Sequence, residues 1–545
     1  MLYLCDIFQP MNRITRILLA GASGLLLSPA FFSWGTGFII LVALVPLLMV
    51  EEDLYRKRDK HRTRHIFWYA ILTFMIFNIL TTWWVKNAAW VGIISAVIVN
   101  TLVMTLPFWL FHWTKRQLGP RLGYAALVVL WVTMEFIYLR VDVNFPWLLL
   151  GNAWANNVPF VQWYEVTGVL GGSLWVLIIN TLLVRLINGL RREPGFSANR
   201  VRISWLLFFL ILPMVFSLVR YHTYEEEKDP YEIVVLQPNI DPYLKFIDMP
   251  QEEQTGYLLQ IADSLTTPET DYIVAPETFL NNNVWQEILD RHPDVLTLRR
   301  FLNRYPNAML VIGATTHKRY DPEERTPTAR PIQRGKYYYD SFNSAMQLDR
   351  TDSIQLYHKS RLVVGVEFMP FTGKVKWIEK ITLKLGGIMR SHGTQETRAT
   401  FESTNNDLRV APIICWESIF GEYVTEYVRE NDAGFLFVIT NDGWWGNTPG
   451  HRQHNSFSHL RAIETRRSVA RSANTGISSL INQRGDEIAR LGWWERSGLR
   501  GTLNANDHLT FYVKYGDYIG RLSGFLAALF LLYALVSYLR TRKMR

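Results

Sequence analysis

The sequence predicts two structural classes in one chain: a multi-span α-helical membrane domain joined to a layered α/β domain. Three observations predict this division. Apolar runs of about 20 residues, the length that crosses a bilayer as a helix, recur through the first 220 residues. The segment 231–512 instead alternates short apolar strands with helical stretches, as layered α/β domains do. One more apolar run, near 518–539, precedes a basic end of the chain.

The composition fits such a mixture. Of the 545 residues, 49% are hydrophobic and 14% are aromatic, including 20 Trp, yet the mean hydropathy is only +0.03. The net charge of +9 would suit a nucleic-acid partner. However, the cations lie in loops between apolar runs, which indicates a membrane topology and no nucleic acid.

The membrane domain is expected to span residues 1–220, with a linker at 221–230, the α/β domain at 231–512 and a last helix with a basic tail at 513–545. The expected helices lie near 14–31, 36–50, 65–84, 88–112, 122–140, 168–190, 202–219 and 518–539. Further spans follow the first run, so it is interpreted as a helix and not as a secretion signal. The apolar stretch 141–162, broken by two prolines, is interpreted as a re-entrant or interfacial piece.

Loop charges predict the orientation. Five basic segments alternate with loops that carry few cations, such as the loop between the third and fourth helices, where Lys86 stands alone. The cations lie at Arg13, Arg16, Arg56–Arg64, Lys115, Arg116, Arg121, Arg191–Arg202 and Arg540–Arg545. The positive-inside rule therefore puts both termini in the cytoplasm and the α/β domain outside. Cys5 and Cys415 would then lie on opposite sides of the membrane and form no structural disulfide.

The stretch A-P-I-I-C-W-E-S-I-F, residues 411–420, is interpreted as the functional centre of the chain. Residues 409–414 have the branched, apolar pattern of a buried strand. An amphipathic helix pattern follows, so Cys415 sits at a strand-to-helix elbow, which would expose its side chain. A helix N-terminus would also lower the pKa of the thiol. The alternative interpretation is that Cys415 is a small residue packed in the core.

Two further strands are expected to end in ionisable groups. D-Y-I-V-A-P-E ends in Glu277, and S-I-Q-L-Y-H-K ends in Lys359. A carboxylate can take a thiol proton, and an ammonium can stabilise an oxyanion, so Glu277, Lys359 and Cys415 form the set that acyl transfer through a thioester requires. The alternative interpretation is that Glu277 and Lys359 are solvated residues at strand ends.

Other expected elements complete the α/β domain. Residues 461–472 have a helical pattern, and 373–390, with Trp377 among lysines, is either a lid at the membrane interface or a helix on the domain core. His451, His454 and His459 are interpreted as surface residues, because no spacing with carboxylates indicates a metal site. The expected strands are 232–237, 272–275, 309–315, 344–348, 354–357, 409–414, 435–440 and 477–482.

The order Glu–Lys–Cys, set in P-E-T, Y-H-K-S-R-L-V and C-W-E, resembles the nitrilase, or carbon–nitrogen hydrolase, superfamily. Together with the flanking helices, nearly the whole chain is similar to the bacterial apolipoprotein N-acyltransferase family. The motifs L-Q-P-N-I-D-P-Y-L-K-F, N-D-G-W-W-G and R-A-I-E-T-R-R-S-V-A-R-S-A-N-T-G carry the rest of this resemblance. It implies a nitrilase-like αββα sandwich in the extracytoplasmic domain.

The resemblance also implies a reaction in two steps. Cys415 would take an sn-1 acyl chain from a membrane phospholipid and pass it to the N-terminal amine of a diacylglyceryl-cysteine lipoprotein. Glu277 would be the base, and Lys359 with the amide of Trp416 would hold the oxyanion. Glu367 and Glu417 match supporting family positions, and Phe246, Trp444 and Trp445 are expected to contact substrate. We expect a monomer in the bacterial inner membrane, with no cofactor and no metal.

The chain departs from the family pattern near Glu367, where V-V-G-V-E-F lacks the usual proline. Two alternative functions remain open. A membrane-anchored amidase of the same superfamily would use water as its acceptor, although such an enzyme needs one helix and not eight. A transporter or receptor would need charges buried among its helices, and the sequence indicates few besides Glu135.

Overall fold

The structure of the protein is a computed structural model that describes residues 11–88, 90–245, 249–368 and 391–543. The chain divides into two compact units. The helical unit contains Met1–Trp83, Ile93–Thr223 and Asp517–Arg545, and the sheet unit contains Trp84–Gly92 and Tyr224–Gly516. A short piece between two apolar helices therefore belongs to the sheet unit.

Among the described residues of the helical unit, six helical stretches are long and apolar enough to cross a membrane. Its α-helices are Arg13–Leu27, Ile40–Ala43, Val45–Arg56, Arg64–Thr82, Trp90–Tyr138, Tyr164–Arg192, Phe196–Thr223 and Tyr518–Lys543. The second expected helix differs most from its prediction. It is broken into a 3-10 turn and the helices Ile40–Ala43 and Val45–Arg56. Pro46, near the start of the second helix, lacks the backbone N–H that would continue the first one.

The helix Trp90–Tyr138 covers both the fourth and the fifth expected helices. It is kinked at Gly119, whose φ of 83° is non-helical, and Pro120 follows. Its 49 residues would be roughly 70 Å long as one straight helix, about twice the thickness of a bilayer core. The two expected helices are therefore two segments that meet at Gly119.

The stretch 141–162 consists of three short 3-10 helices, Pro146–Leu148, Leu150–Trp154 and Val158–Phe160. Trp147 and Trp154 are fully buried within it. Irregular backbone in a membrane protein must be covered by protein, because its polar groups cannot pair with lipid. This packing explains how an apolar stretch broken by two prolines is accommodated.

Basic segments of the helical unit contact one another. The Arg116 guanidinium donates to the carbonyls of His61 at 2.7 Å and Arg58 at 3.0 Å, and Arg56 donates to Asn188 at 3.0 Å. The basic segments around Arg56–Arg64 and Arg116 therefore lie beside each other, and the first also reaches the helix that ends at Arg192.

Two expectations about charge in the helical unit are wrong. Lys115 is not a loop cation: it lies in a helix, is fully buried, and pairs with Glu51 at 2.5 Å and Glu52 at 2.8 Å. His112 also bonds Glu51, at 2.7 Å. Buried charges are therefore more numerous than the sequence indicated. The hydropathy pattern missed them because each is paired with a partner more than 60 residues away.

The sheet unit is built on two β-sheets. Its strands are β1 Pro230–Gln237, β2 Tyr272–Val274, β3 Leu280–Trp285, β4 Met309–Tyr320, β5 Arg330–Ile332, β6 Tyr337–Leu348, β7 Ile354–His358, β8 Phe401–Glu402, β9 Arg409–Ile414, β10 Phe435–Thr440, β11 Ser468–Ala473, β12 Ser479–Ile481, β13 Glu487–Arg490 and β14 Ser497–Asn504. One sheet has the order β14-β1-β2-β4-β6-β5, with β3 beside β4 and β7 beside β6. The other has the order β13-β12-β11-β10-β9-β8.

The two sheets pack face to face, and helices cover their outer faces. Tyr231 meets Phe435 with ring centroids 5.6 Å apart, and Tyr272 meets Phe437 at 5.1 Å. Every residue of β10 is buried, as expected for a central strand covered on both faces. The α-helices within the described part of the sheet unit are Pro242–Lys245, Gln251–Leu265, Pro293–Leu302, Gly421–Arg429, Pro449–Thr465 and Phe511–Tyr515. This αββα sandwich confirms the expected fold class.

The expected helix at 461–472 is wrong in its second half. The helix Pro449–Thr465 ends at Arg466, which has a left-handed φ of 53°, and β11 follows at Ser468. The arginines in this stretch made it resemble an amphipathic helix with a solvated face. In the structure Arg467 and Arg471 are buried and hydrogen-bonded to interior groups. The expected lid at 373–390 lies outside the described residues.

Candidate active site

Three strand ends meet in the sheet unit. Glu277 follows β2, Lys359 follows β7 and Cys415 follows β9. The Lys359 Nζ lies 3.1 Å from Glu277 Oε1, and Cys415 interacts electrostatically with both groups. All three side chains are buried. The structure thus brings together the carboxylate, the ammonium and the thiol, and neither Glu277 nor Lys359 is a solvated strand end.

Cys415 stands on a sharp bend of the backbone. Its φ is +49°, in the left-handed region, which costs a residue with a side chain of the order of 1–3 kcal/mol. The bend continues as a 3-10 helix, Cys415–Ile419, before the α-helix Gly421–Arg429 begins. The elbow is therefore a strand-to-3-10 turn and not the direct strand-to-helix turn expected from the sequence.

The expected lowering of the thiol pKa is wrong. Burial raises the pKa of Cys415 well above its usual range, and the Glu277 carboxylate raises it further. Lys359 and a hydrogen bond with Thr440 act in the opposite direction but do not compensate. The resting thiol is therefore protonated, and any nucleophilic use of the sulfur requires a proton acceptor.

Alkylation by iodoacetamide tests this protonation state. We expect the rate in a Cys5→Ser variant, which leaves Cys415 as its one thiol, to keep rising with pH beyond the free-cysteine pKa of about 8.5. The sign follows from the shift: an acid whose pKa is raised stays protonated to higher pH. The Cys415 pKa is raised, so little thiolate forms at neutral pH. A rate that reaches its plateau below about pH 8 would contradict this prediction.

Glu277 is held by three donors. Its Oε1 accepts from Lys359 Nζ at 3.1 Å and from Asn343 Nδ2 at 2.7 Å. Its Oε2 accepts from the backbone amide of Asn441 at 3.0 Å. These bonds fix the plane of the carboxylate within the site, which a group that receives a proton at one position requires.

A second carboxylate completes the surroundings of Lys359. The Lys359 Nζ lies 2.9 Å from Glu367, and Asn343 Nδ2 donates to Glu367 Oε1 at 2.6 Å. Burial disfavours the ammonium, but Glu277 and Glu367 outweigh it and raise the pKa of Lys359 well above its usual range. Lys359 is therefore a fixed cation. Glu367 reaches this position although its loop lacks the usual proline.

Glu417 does not face the thiol but joins two of the strand ends. Its Oε1 accepts from the Tyr357 hydroxyl at 2.8 Å and from the Ser360 amide at 2.7 Å, and its Oε2 accepts from the Ile414 amide at 2.9 Å. Burial raises its pKa, while the hydrogen bond from Tyr423 opposes that shift. Glu417 thus links the residues that follow Lys359 to the residue that precedes Cys415.

The aromatic residues expected to contact substrate have different surroundings. Trp416 is buried beside Cys415. Trp444 packs against Tyr243, with ring centroids 5.3 Å apart. Trp445 packs against Trp84 at 5.0 Å, and its carbonyl accepts from Asn87 Nδ2 at 2.8 Å. The piece Trp84–Gly92 therefore packs on the N-D-G-W-W-G loop. Phe246 lies outside the described residues.

The histidine interpretation is wrong for two of the three residues. His451 and His454 are buried, and His454 bonds Asp442 at 2.9 Å. His454, Asp442 and Cys415 offer potential metal ligands within 4.8 Å of one another. The second oxygen of Asp442, however, pairs with Arg471 at 2.7 Å. A guanidinium in that position repels a metal cation, so these residues fit an internal ion-pair network better than a metal site.

Sequence reasoning missed several residues that shape this site. Asn343, in the middle of β6, bridges Glu277 and Glu367. Its sequence context, D-S-F-N-S, resembles an ordinary partly polar strand and carries no signal of a functional residue. Asp442 and Arg471 lie within motifs quoted for the family resemblance, so their position in those motifs was a signal that charge patterning alone did not reveal.

Gly313 of β4 allows the bend at Glu277 to approach that strand closely. An added Cβ would lie 2.5 Å from Glu277 Cα and 2.6 Å from the Thr278 nitrogen. These are backbone atoms that cannot rotate away, so we expect Gly313→Ala to cost about 1–3 kcal/mol of unfolding free energy. We also expect it to slow any reaction that uses Glu277. Thermal unfolding and an activity assay measure the two effects.

Gly256→Ala is the matched control for this substitution. Gly256 is exposed in the helix Gln251–Leu265, and an added Cβ there meets none of the described atoms within 4 Å. It should raise stability by up to about 1 kcal/mol, because alanine is the better helix former. An unchanged melting temperature in Gly313→Ala would show that the close approach is not needed.

Comparisons with known proteins agree with this architecture. Residues 23–182 match the family model described as apolipoprotein N-acyltransferase N-terminal domain, and residues 235–507 match the carbon-nitrogen hydrolase family. The apolipoprotein N-acyltransferase of Chlorobaculum tepidum is 30% identical over 91% of this chain and 92% of its own length. That of Geobacter metallireducens is 28% identical over 92% of this chain and 91% of its own length.

A solved structure also matches part of the chain. It is a CN-hydrolase superfamily protein from Xanthomonas campestris, with a TM-score of 0.34 and 16% identity. The match covers 50% of this chain and 90% of that protein.

Proposed function

This chain belongs to the apolipoprotein N-acyltransferase family, and on that premise we propose a reaction in which Cys415 carries an acyl chain from a phospholipid to a lipoprotein amine. The chain is an acyltransferase of the carbon–nitrogen hydrolase superfamily that acts in lipoprotein N-acylation, and it is a multi-pass bacterial membrane protein. The donor, the acceptor and the residues that act are the proposal.

In the first half-reaction the Cys415 sulfur attacks the sn-1 ester carbonyl of a phospholipid. The thiol proton passes to Glu277, and a carbon–sulfur bond forms. The negative oxygen of the tetrahedral intermediate is held by Lys359 Nζ and the backbone amide of Trp416. When the ester carbon–oxygen bond breaks, Glu277 returns the proton to the departing alkoxide. A lysophospholipid leaves and an acyl thioester remains.

In the second half-reaction the α-amine of a diacylglyceryl-cysteine attacks the thioester. Glu277 accepts a proton from that amine, and the same two donors hold the oxyanion. The carbon–sulfur bond breaks, and the thiolate recovers the proton. The product carries a third acyl chain in amide linkage. The enzyme returns to its starting protonation state, so one carboxylate serves both halves.

The single observation that carries this proposal is the convergence of the three buried strand ends. Lys359 Nζ lies 3.1 Å from Glu277 Oε1, and both groups act electrostatically on a Cys415 thiol whose pKa is raised. A thiol that holds its proton, beside a fixed carboxylate and a permanent cation, suits general-base attack with oxyanion stabilisation. Each of the three groups comes from one chain, so we propose that a monomer is sufficient.

A membrane location for the site follows from the substrate. Each CH2 group of an acyl chain that leaves the bilayer for water costs roughly 0.8 kcal/mol. A catalytic unit flanked in sequence by apolar helices avoids that cost. We propose that both termini are cytoplasmic and the sheet unit is periplasmic. The contact between the basic segments around Arg56–Arg64 and Arg116 supports this orientation. So does the loop Trp84–Gly92, which has Lys86 as its one cation in the sequence and belongs to the sheet unit.

A reconstituted transfer assay tests the function. Purified protein in phospholipid vesicles should convert a diacylated lipopeptide to the triacylated form, detected by mass. A matched lipopeptide with an acetylated N-terminus should gain no acyl chain, because it lacks the attacking amine. An amidase would instead release ammonia from small amides and leave the lipopeptide unchanged, and that result would overturn the proposal.

A further inference from the structure

Three buried polar side chains behind Cys415 take no part in the reaction proposed above. Asp442, His454 and Arg471 are fully buried, and the Arg471 guanidinium donates to both of the others. His454 comes from the helix Pro449–Thr465, Asp442 from the loop after β10, and Arg471 from β11. Burial of such groups is costly unless each has a partner, so the network is maintained against a free-energy cost.

One end of the network reaches the backbone of the elbow. His454 Nε2 lies 3.2 Å from the carbonyl oxygen of Cys415, and Ser418 Oγ donates to the same oxygen at 2.7 Å. A carbonyl oxygen can only accept hydrogen bonds, so His454 Nε2 carries a hydrogen and donates. The residue that receives these two bonds is the one with the left-handed φ of +49°.

The other end of the network fixes the imidazole ring. Asp442 Oδ1 lies 2.9 Å from His454 Nδ1 and accepts from Thr440 Oγ1 at 2.7 Å. Asp442 Oδ2 accepts from Arg471 at 2.7 Å. Burial opposes the charge on Asp442, but His454 and Arg471 outweigh it and lower the pKa of Asp442 below its usual range. Arg471 also donates to His454 Nδ1 at 2.9 Å, so this nitrogen accepts and the neutral ring carries its hydrogen on Nε2. The guanidinium thus sets the ring orientation.

The same loop also positions the proposed base. The backbone amide of Asn441, next to Asp442 in the chain, donates to Glu277 Oε2 at 3.0 Å. A side-chain network that fixes Asp442 therefore fixes the neighbouring amide as well. Through Asn441 and His454, one buried anchor contacts both the carboxylate of Glu277 and the backbone of Cys415.

We infer that His454 is a positioning residue for the nucleophile. Its Nε2–H holds the Cys415 carbonyl and so keeps the strained elbow in the conformation that presents the sulfur to Glu277 and Lys359. His454 acts through the backbone of Cys415 and not on the substrate. This inference rests on the proposed role of Cys415, and the test below separates the two.

Two isosteric substitutions distinguish this role from a structural one. In His454→Gln the amide nitrogen can occupy the Nε2 position and still donate to the Cys415 carbonyl. In His454→Asn the amide reaches only the Nδ1 position, so its oxygen can keep the bond from Arg471 and the bond to the elbow is lost. The positioning role predicts that the glutamine variant is the more active. A role confined to accepting the hydrogen bond from Arg471 predicts the reverse order.

The measurement is the rate at which purified protein in phospholipid vesicles gains an acyl mass on Cys415, over a range of phospholipid concentrations. His454→Asn should acylate about 100-fold more slowly at saturating phospholipid, the cost of a misplaced reacting group. Its half-saturating concentration should stay near the wild-type value. His454→Gln should keep a rate within about tenfold of the wild type. Thermal unfolding of each variant reports any loss of fold.

The control on the same helix is His459→Asn, because the ring of His459 bonds the carbonyl of Gly485 and not the elbow. Its rate should equal that of the wild type. A His454→Asn rate equal to that of His454→Gln or of the wild type would overturn the inference. So would a loss that appears only in the half-saturating concentration.

If His454→Asn does not fold, Ser418→Ala replaces it, since it removes the other donor to the Cys415 carbonyl. It should slow acylation by roughly tenfold, because the loss of one neutral hydrogen bond costs about 1–1.5 kcal/mol. A wild-type rate in Ser418→Ala would then overturn the inference. A wild-type protein that gains no acyl mass would instead reject the role of Cys415 itself.

Discussion

Cys415→Ala should form no acyl-enzyme and should transfer no acyl chain to a lipopeptide. The physical reason is that the proposed route has one covalent carrier, and alanine has no nucleophile. The side chain is small and buried, so its replacement by alanine should change the melting temperature little. Intact mass of detergent-purified protein after mixing with phospholipid measures the adduct, which should be removed by hydroxylamine when it is a thioester.

Cys5→Ser is the matched control, because it removes the other cysteine of the sequence. It should gain the same acyl mass as the wild type. An acyl mass that persists in Cys415→Ala would place the carrier on another residue and reject the assignment. So would undiminished lipopeptide acylation by that variant.

Glu277→Gln should slow acyl-enzyme formation by about 10²- to 10⁴-fold, the usual contribution of a positioned general base. Because the thiol pKa is raised by burial, the sulfur depends on an acceptor for its proton. Glutamine has nearly the same shape, but its amide nitrogen donates. It would meet either Lys359 Nζ or the Asn441 amide, which are also donors. The rate of gain of acyl mass is the measurement.

Glu367→Gln is the control for charge, since Glu367 also pairs with Lys359 at 2.9 Å. It removes a carboxylate from the same ammonium but leaves the proposed proton acceptor in place. The rate of acyl-enzyme formation should therefore fall less in Glu367→Gln than in Glu277→Gln. Thermal unfolding should show that both variants are folded. A full rate in Glu277→Gln would reject the base assignment.

The sequence was sufficient to predict the three strand ends because each strand is short, apolar and ends in a residue of unlike chemistry. Parallel pairing of β1 with β2 and of β9 with β10 then brings strand ends of the same kind to one edge of each sheet. The sandwich confirms the expected fold. The positions of Glu277, Lys359 and Cys415 follow from local pattern and simple topology.

The residues that sequence reasoning missed are those whose environment depends on long-range packing. His454 was interpreted as a surface histidine because no spacing with carboxylates indicated a metal site, yet it lies fully buried between Asp442 and the Cys415 carbonyl. Asn343 joins two carboxylates that arrive from β2 and from the loop after β7. Such partners are set by how strands and loops pack, and no local period encodes them.

The prediction of a lowered pKa for the Cys415 thiol was wrong for a related reason. The expectation was built on the local elbow, in which helix amides favour the thiolate. In the structure, burial and the nearby Glu277 carboxylate decide the direction, and both depend on the assembled site. Lys115 is the corresponding case in the helical unit, since its buried partners Glu51 and Glu52 come from a different helix.

The central claim is that one acyl chain passes through the Cys415 sulfur on its way to an amine, and a single-turnover chase tests it most directly. Wild-type protein loaded from phospholipid is freed of excess donor and mixed with a diacylated lipopeptide, and both masses are followed in time. We predict that the protein loses its acyl mass at the rate, and in the amount, that the lipopeptide gains one. Lipopeptide acylation while the acyl mass on the protein stays constant would contradict the account.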